Sequence, residues 1–277
     1  MQIKKIIKSL SYRIKNQEQH FTSSLLCGVP LKLLAGTIRE KVDQDDAWWF
    51  YLAKHHAVIF DIGCNIGYTA LLALIQDPRR PIVLVDPNPK ALQKSAMNII
   101  QNNLGSRVQY LSAFVGDKLD ETVKFYTVGA GAAGSMYASH AETASAMNSF
   151  IDVNTLTLDY IYEFYGMKPD LVKIDVEGAE ILVMKSAKKL TAETQCTYFV
   201  EMHTVENLGM EAAGQYMLNW CTEMNYNAWY LKTGELLTHA ATIRNRGKCH
   251  LLLLPKSKEY PDYLVNIKQN APLPNSI

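Results

Sequence analysis

The chain predicts a doubly wound α/β fold with a mostly parallel sheet. Three observations carry this. Short apolar runs of strand length recur along the sequence, helical stretches separate them, and several of the runs end at an acid or a glycine turn. VIFDI at 58–62 is the first such run and enters a glycine-containing turn; residues 66–76 then read as helix. IVLV at 82–85 is the second, followed by Asp86-Pro87-Asn88-Pro89. Pro89 suits the first turn of a helix over 89–103, where its missing N–H is not needed. Residues 108–114 make a third strand. Alternation of this kind requires right-handed crossovers between parallel strands. Residues 122–128 and 150–157 read as further strands, and the small-residue segment between them, 129–149, as a mobile loop. A helix at 158–166, a strand at 170–175, a helix at 179–189, a strand at 197–203 and a helix at 211–224 follow. Strands at 226–231 and 249–254 complete the pattern as an antiparallel hairpin at the sheet edge, joined by a long loop.

Composition bounds the function. With 277 residues, 48% hydrophobic and 20% charged, the chain reads as a soluble globular protein. It divides into an N-terminal helical or cap extension (1–50), the α/β domain (51–256) and a C-terminal tail (257–277). The net charge of +1 gives no electrostatic case for nucleic acid as partner. Cys27, Cys64, Cys196, Cys221 and Cys249 are scattered and form no CxxC pair, so a reducing, cytoplasmic setting is expected. Ile3, Ile6, Ile7, Leu10 and Ile14 recur at helical spacing, with Lys4, Lys5, Lys8, Arg13 and Lys15 largely off that stripe. This reads as a helix capping the domain; the alternative is peripheral membrane contact through residues 1–15 on an anionic surface. The sequence sets no oligomeric state.

The turn after the first strand reads Asp61-Ile62-Gly63-Cys64-Asn65-Ile66-Gly67. Its GxxxG spacing is neither the GxGxxG of a dinucleotide fold nor a P-loop. An acid before the turn repels a pyrophosphate and suits a cationic group. Asp86 ends the second strand, where an acid can accept both hydroxyls of a ribose. Turn acid, close glycines and ribose acid together describe a pocket for S-adenosyl-L-methionine.

At these residues the sequence resembles the FkbM family of S-adenosylmethionine-dependent methyltransferases. The resemblance runs in order through IFDIGCNIGYTALLAL, VDPNPKALQKSAMNIIQNN, TLDYI, LVKIDVEGAEILVMKSAKKL and FVEMH, over roughly residues 56–205. CHLLLLP follows it more loosely, and the family commonly has Glu-Pro-Asn where this chain has Asp86-Pro87-Asn88. The resemblance implies a seven-stranded Rossmann-like methyltransferase sheet and O-methylation of a hydroxyl on a sugar, glycan or other small-molecule natural product. It implies that Asp61, Gly63, Asn65 and Gly67 border the methionine part of the cofactor, with Cys64 and Tyr68 in the same wall. Asp86 then holds the ribose with Asn88 in support, and Ala113 and Phe114 lie near the adenine. Asn98 and Asn102 match the family's asparagine spacing and read as helix and turn supports.

KIDVEGAE at 173–180 places three acids at the end of a buried strand. In an open α/β sheet the ligand lies beyond the carboxyl ends of the strands. Asp175 therefore falls beside the methyl donor, and Glu177, Glu201 and His203 converge with it as catalytic candidates. His203 is the first choice of general base by intrinsic pKa and Asp175 the second. Mg²⁺ or Mn²⁺ on this cluster is the alternative, not demanded by the spacing. Lys173 reads as a buried cation needing a carboxylate partner. Glu180 reads as a helix N-terminus acid, Asp159 as a helix-start or loop-anchoring acid, and His140 as a solvated loop residue. Trp48, Trp49 and Phe50 read as core or cap. The other functions the sequence leaves open are N-methylation of a nucleobase or nucleic acid, and a non-catalytic cofactor-binding assembly module.

Overall fold

The structure, a computed structural model, describes residues 20–41, 43–128, 134–204 and 208–277. The basic helix expected at the N-terminus, and its membrane alternative, lie outside the described residues. Among the described residues, no helix is long and apolar enough to cross a membrane.

The chain opens with β1 (Phe21–Leu26) and β2 (Val29–Leu34), an antiparallel hairpin turning on Cys27-Gly28. Both turn residues have positive φ, as a two-residue hairpin turn demands. This hairpin stands where a helical or cap extension was expected. The apolar runs flanking a two-residue Cys-Gly loop were its sequence signal. α1 (Asp46–Lys54) follows and buries Trp48, Trp49 and Phe50. Next come β3 (Ile59–Ile62), α2 (Tyr68–Leu74), β4 (Ile82–Val85), α3 (Pro89–Gln101) and β5 (Val108–Leu111). β6 (Phe114–Val115), β7 (Thr122–Tyr126), α4 (Glu142–Ala146), β8 (Phe150–Leu156) and α5 (Leu158–Tyr165) precede β9 (Leu171–Ile174). α6 (Glu180–Lys185), α7 (Lys188–Thr194), β10 (Thr197–His203), α8 (Gly209–Met224), β11 (Tyr226–Tyr230), β12 (Glu235–Leu236) and β13 (Lys248–Pro255) complete the fold.

The main sheet is mixed and has eight strands, in the order β12-β11-β13-β10-β9-β3-β4-β5. β10, β9, β3, β4 and β5 pair in parallel, as the alternation predicted. β11 and β13 form the expected antiparallel hairpin at this edge of the sheet. One point differs from expectation: the two-residue β12 adds an eighth strand, too short to carry a periodic signal. Within the hairpin, β13 is the inner strand and pairs antiparallel with β10 as well as β11. Its run Leu251–Leu254 is fully buried because both of its edges are paired and both faces covered. β7 and β8 leave the main sheet and join β6 in a small three-stranded one. The helix expected at 179–189 is two: Ser186 breaks it, accepting from Leu158 N–H at 3.0 Å and donating to the Val183 carbonyl at 2.9 Å. Asp159 accepts from the Lys189 and Leu190 N–H groups at the start of α7. The C-terminal tail folds onto α1, where the Trp48 indole donates to the Ile267 carbonyl at 2.9 Å.

Strand alternation sorts the core into two layers. Phe60, Val83, Val172 and Val200 face one layer, and Ile59, Leu84, Leu171 and Phe199 the other. The same period of two carries Asp61, Lys173, Glu201 and His203 onto the second face. A polar cluster thus sits on one side of the sheet at its carboxyl end.

α3 docks the N-terminal hairpin. Asn98 Oδ1 accepts from Leu34 N–H and its Nδ2 donates to Thr37 Oγ1, while Asn102 exchanges both amide bonds with the backbone of Lys32. These asparagines are supports, acting across the chain as well as, for Asn102, on the Asn98 carbonyl of its own helix. They fix where the segment after β2 runs.

Candidate functional site

The glycines of the turn after β3 serve a closer purpose than ligand approach. Gly63 and Gly67 have φ of 86° and 82°, which disfavours any side chain. A Cβ on Gly63 would stand 1.8 Å from the Asp175 carbonyl oxygen, and one on Gly67 2.2 Å from Ser95 Oγ. Both glycines let this turn press against other parts of the protein: the turn after β9 and the helix α3. Asp86 closes the arrangement. One of its oxygens accepts from Asn65 N–H and the other from Asn88 N–H, each at 2.8 Å. Burial pushes the Asp86 carboxyl up to about 6, against the pull of those two N–H groups.

A cavity opens above these turns. Of the residues expected at the cofactor, Gly63, Cys64, Asn65, Tyr68, Asp86, Asn88, Ala113, Phe114 and Asp175 line it. Asp61 and Gly67 do not. Asp61 is fully buried beneath the floor; its Oδ2 accepts from Thr69 Oγ1 at 2.6 Å and its Oδ1 lies 3.8 Å from Lys173 Nζ. The expected role as anchor for a cationic part of the ligand fails, because the acid points into the sheet and meets a lysine there. Cys64 is buried and burial raises its thiol well above the ordinary range, which fits packing and not nucleophilic attack. Part of the wall escaped the sequence reading altogether: Gly36, Thr37, Ile38 and Arg39, with Phe125 and Gly134 opposite. The one local hint was an arginine closely followed by Asp43, Asp45 and Asp46.

At the far end of the cavity stand Asp175 and Glu177. Lys173 Nζ lies 3.1 Å from Asp175 Oδ2. Burial alone would lower the Lys173 pKa, but Asp175 and Asp61 outweigh it and hold the cation. Extended backbone does not continue from Asp175 to Glu177. Glu177 has φ of 51°, and Ser135 Oγ pins its carbonyl at 2.7 Å. Its side chain still reaches the cavity, by way of this turn.

His203 and Glu201 stand behind Glu177 and do not line the cavity. His203 Nδ1 is 2.9 Å from Glu180 Oε1, and its Nε2 is 3.4 Å from Glu177 Oε2 and 3.8 Å from Glu201 Oε1. Glu180 also accepts from Gly178 N–H, so this helix-start acid orients the histidine. Burial would depress the His203 pKa, yet the Glu180 bond and the charges of Glu180, Asp175 and Glu177 raise it to about 10. His203 is therefore an imidazolium at neutral pH and has no lone pair with which to take a proton. Its choice as base from intrinsic pKa is overturned by the carboxylates around it. Burial also acts on Glu201, but His250 at 3.6 Å, His203 and Lys248 at 2.5 Å hold its carboxyl well below the usual range. Burial pushes Glu177 up to about 7; His203 opposes this, and Asp175, Glu201 and Glu180 add to it.

Asp175, Glu177 and His203 offer ligand atoms within 4.8 Å of one another, as do Asp45, Glu201 and His250. The donor types suit a divalent cation. Each set already contains or touches a cationic side chain, Lys173 and protonated His203 in the first and Arg39 and Lys248 in the second. The loop expected to be mobile turns back over this end. Residues 138–140 form a 3₁₀ turn, α4 follows, and the His140 ring lies 6.0 Å from that of His203, perpendicular to it. His140 is half-buried, against the rings of Tyr137 and His203 and the Thr204 carbonyl, rather than solvated.

Residues 61–228, more than half of the 277, match the methyltransferase FkbM domain. The chain belongs to the FkbM methyltransferase family. No curated protein matches it. Among solved structures, it is similar to a methyltransferase FkbM from Methylobacillus flagellatus at 14% identity and a TM-score of 0.43, over 79% of this chain and 45% of that one. It thus spans less than half the length of that protein. P. horikoshii TYW2 in complex with MeSAdo is similar at 12% identity and a TM-score of 0.46, over 85% and 70% of the two chains. The B. subtilis tRNA methyltransferase TrmK is similar at 10% identity and a TM-score of 0.43, over 78% and 68%. The cofactor expected from the sequence is S-adenosylmethionine, and the residues present fit it. Asp86 presents a carboxylate to the cavity at the end of β4. Asn65 Oδ1 is a buried acceptor with no hydrogen-bond partner among the described residues.

Proposed function

We propose that the chain is an O-methyltransferase acting on a hydroxyl of a sugar, glycan or other small molecule. The observation that carries this reading is Glu177. Its carboxyl lines the same cavity as Asp86, is buried enough to sit at about 7, and stands beside an imidazolium that cannot itself act as base. A base whose pKa lies near the working pH is well matched to the proton of a hydroxyl.

S-adenosylmethionine, when bound, supplies a methyl group already activated on a sulfonium. The chain's task is then to hold the acceptor oxygen in line and to take its proton. Glu177 accepts that proton. His203, fixed by Glu180, faces the Glu177 oxygen and keeps it directed into the cavity. Lys173 holds Asp175, whose remaining lone pairs orient the acceptor hydroxyl. Asp86 accepts from the ribose hydroxyls and Asn88 supports it, with Ala113 and Phe114 against the adenine. The fold-back at 134–149 closes the acceptor end and excludes water.

The test is a donor-consumption assay over sugars, lipids, polyketides and RNA, with and without EDTA. Turnover on hydroxylated small molecules that persists in EDTA is the expected result. Turnover confined to RNA would replace this reading by N-methylation, and loss of all turnover in EDTA would assign the acids to a metal. Cofactor binding with no turnover on any acceptor would favour an assembly module.

A further inference from the structure

The amino-acid part of S-adenosylmethionine carries a carboxylate and an ammonium, and each needs a counterpart in the cavity wall. Among the described residues, only two that line the cavity are cationic, Lys173 and Arg39. Lys173 is 1% exposed and already sits between Asp175 and Asp61. Arg39 differs. Its ion pairs all run through one nitrogen: Nη1 lies 2.5 Å from Asp46, 3.2 Å from Asp43 and 3.4 Å from Asp45. The Nε and Nη2 groups meet no acid among the described residues. The guanidinium also stacks 4.8 Å above the ring of Tyr68, the first residue of α2 and itself part of the wall. It is thus held between these acids and the Tyr68 ring, with a donor edge left over.

Carboxylates are met best by such an edge, two parallel N–H groups in a rigid fork. On the same wall, Asn65 Oδ1 is a buried acceptor lacking a partner among the described residues, which suits an ammonium. We propose that Arg39 is the carboxylate subsite for the methyl donor, with Asn65 Oδ1 receiving the amino group. This rests on the cavity being the S-adenosylmethionine site. Arg39 lies outside the residues that carry the family match, 61–228. It is brought to the cavity by the hairpin that Asn98 ties to α3.

Two ligands separate this role from mere support of the wall. S-adenosylhomocysteine carries the amino-acid group; 5′-methylthioadenosine keeps the nucleoside and the thioether but lacks it. By calorimetry, Arg39→Ala should weaken S-adenosylhomocysteine binding by about 10- to 100-fold, the usual scale for a charged hydrogen bond. Binding of 5′-methylthioadenosine should stay within about twofold, since it makes no such bond. Equal loss for both ligands, or for neither, overturns the proposal. Arg39→Lys keeps a cation beside Asp43, Asp45 and Asp46 and serves where the alanine variant does not fold. It lacks the fork, so the ratio of the two affinities should fall; an unchanged ratio overturns the proposal as well. If the unaltered protein binds neither ligand, the cavity is not the donor site, and the failure belongs to the cofactor assignment.

Discussion

Two clusters at the carboxyl end of the sheet, one around Lys173 and one around His203, share a plan and have opposite wiring. Each sets a buried cation against a sealed acid and an acid at the cavity rim, and His203 has Glu201 beside it as well. In the first, Lys173 makes its short contact, 3.1 Å, with the rim acid Asp175, and stands 3.8 Å from sealed Asp61. In the second, His203 makes its short contact, 2.9 Å, with sealed Glu180, and stands 3.4 Å from the rim acid Glu177. The difference decides which rim carboxylate is available. Asp175 is held by a hydrogen bond to a lysine that stays charged. Glu177 is faced by a cation without being tied to it. Composition alone cannot distinguish the two; the order of distances does.

The sharpest way to break this comparison is Glu177→Gln. It should lower kcat by about 10²–10⁴-fold, the usual span for a lost general base, while S-adenosylhomocysteine binding measured by calorimetry holds. An unchanged kcat would return the role to Asp175. Next is Lys173→Met, which leaves Asp61 and Asp175 without their cation. Removing one partner of a buried pair costs about 3–5 kcal/mol, to be read from urea denaturation with spectroscopy as the probe. A loss under about 1 kcal/mol would mean that this pair resembles a surface one. A smaller effect is expected in the pH profile. Glu177 accepts a proton only when ionised, so kcat/KM, which reports the free protein, should rise as pH passes through about 7 and level off above it. His203 holds the Glu177 pKa down, so His203→Gln should move that rise to higher pH; movement to lower pH would contradict the arrangement. The mildest change in binding is expected from Asp86→Asn, which removes the charge of the proposed ribose acceptor and turns one of its two oxygens into a donor facing the Asn65 or Asn88 N–H. It should weaken S-adenosylhomocysteine about tenfold, the scale of one charge-assisted bond.

Much of this was readable in the sequence because it depends on neighbours along the chain. The β3–α2–β4 unit follows from local periodicity, and Asp86 and Asp175 are strand ends wherever those strands lie. Nine of the eleven residues expected at the cofactor line the cavity for the same reason. What failed depends on contacts across the chain. Asp61 looked like a ligand acid because its partner Lys173 lies on another strand, matched to it only by the β3–β9 register. His203 looked like a base because Glu180 and Glu177, whose charges favour its protonated form, reach it from the turn after β9. The two glycines signalled close approach correctly, but the approaching groups are Asp175 and Ser95. Arg39 was passed over since nothing near it in sequence marks a cavity; its place is set through Asn98, in a helix far along the chain.

That last fact changes what counts as the catalytic unit. The family match begins at Asp61, yet one wall of the cavity proposed to hold the donor is made by residues 36–39. A protein begun at the signature boundary would carry every matched motif and present an open trough. It would also leave bare the core face that Leu31, Leu33, Trp48 and Trp49 cover. Swapping matched segments between relatives would therefore transplant the chemistry without its grip on the donor, unless the preceding hairpin travels with it.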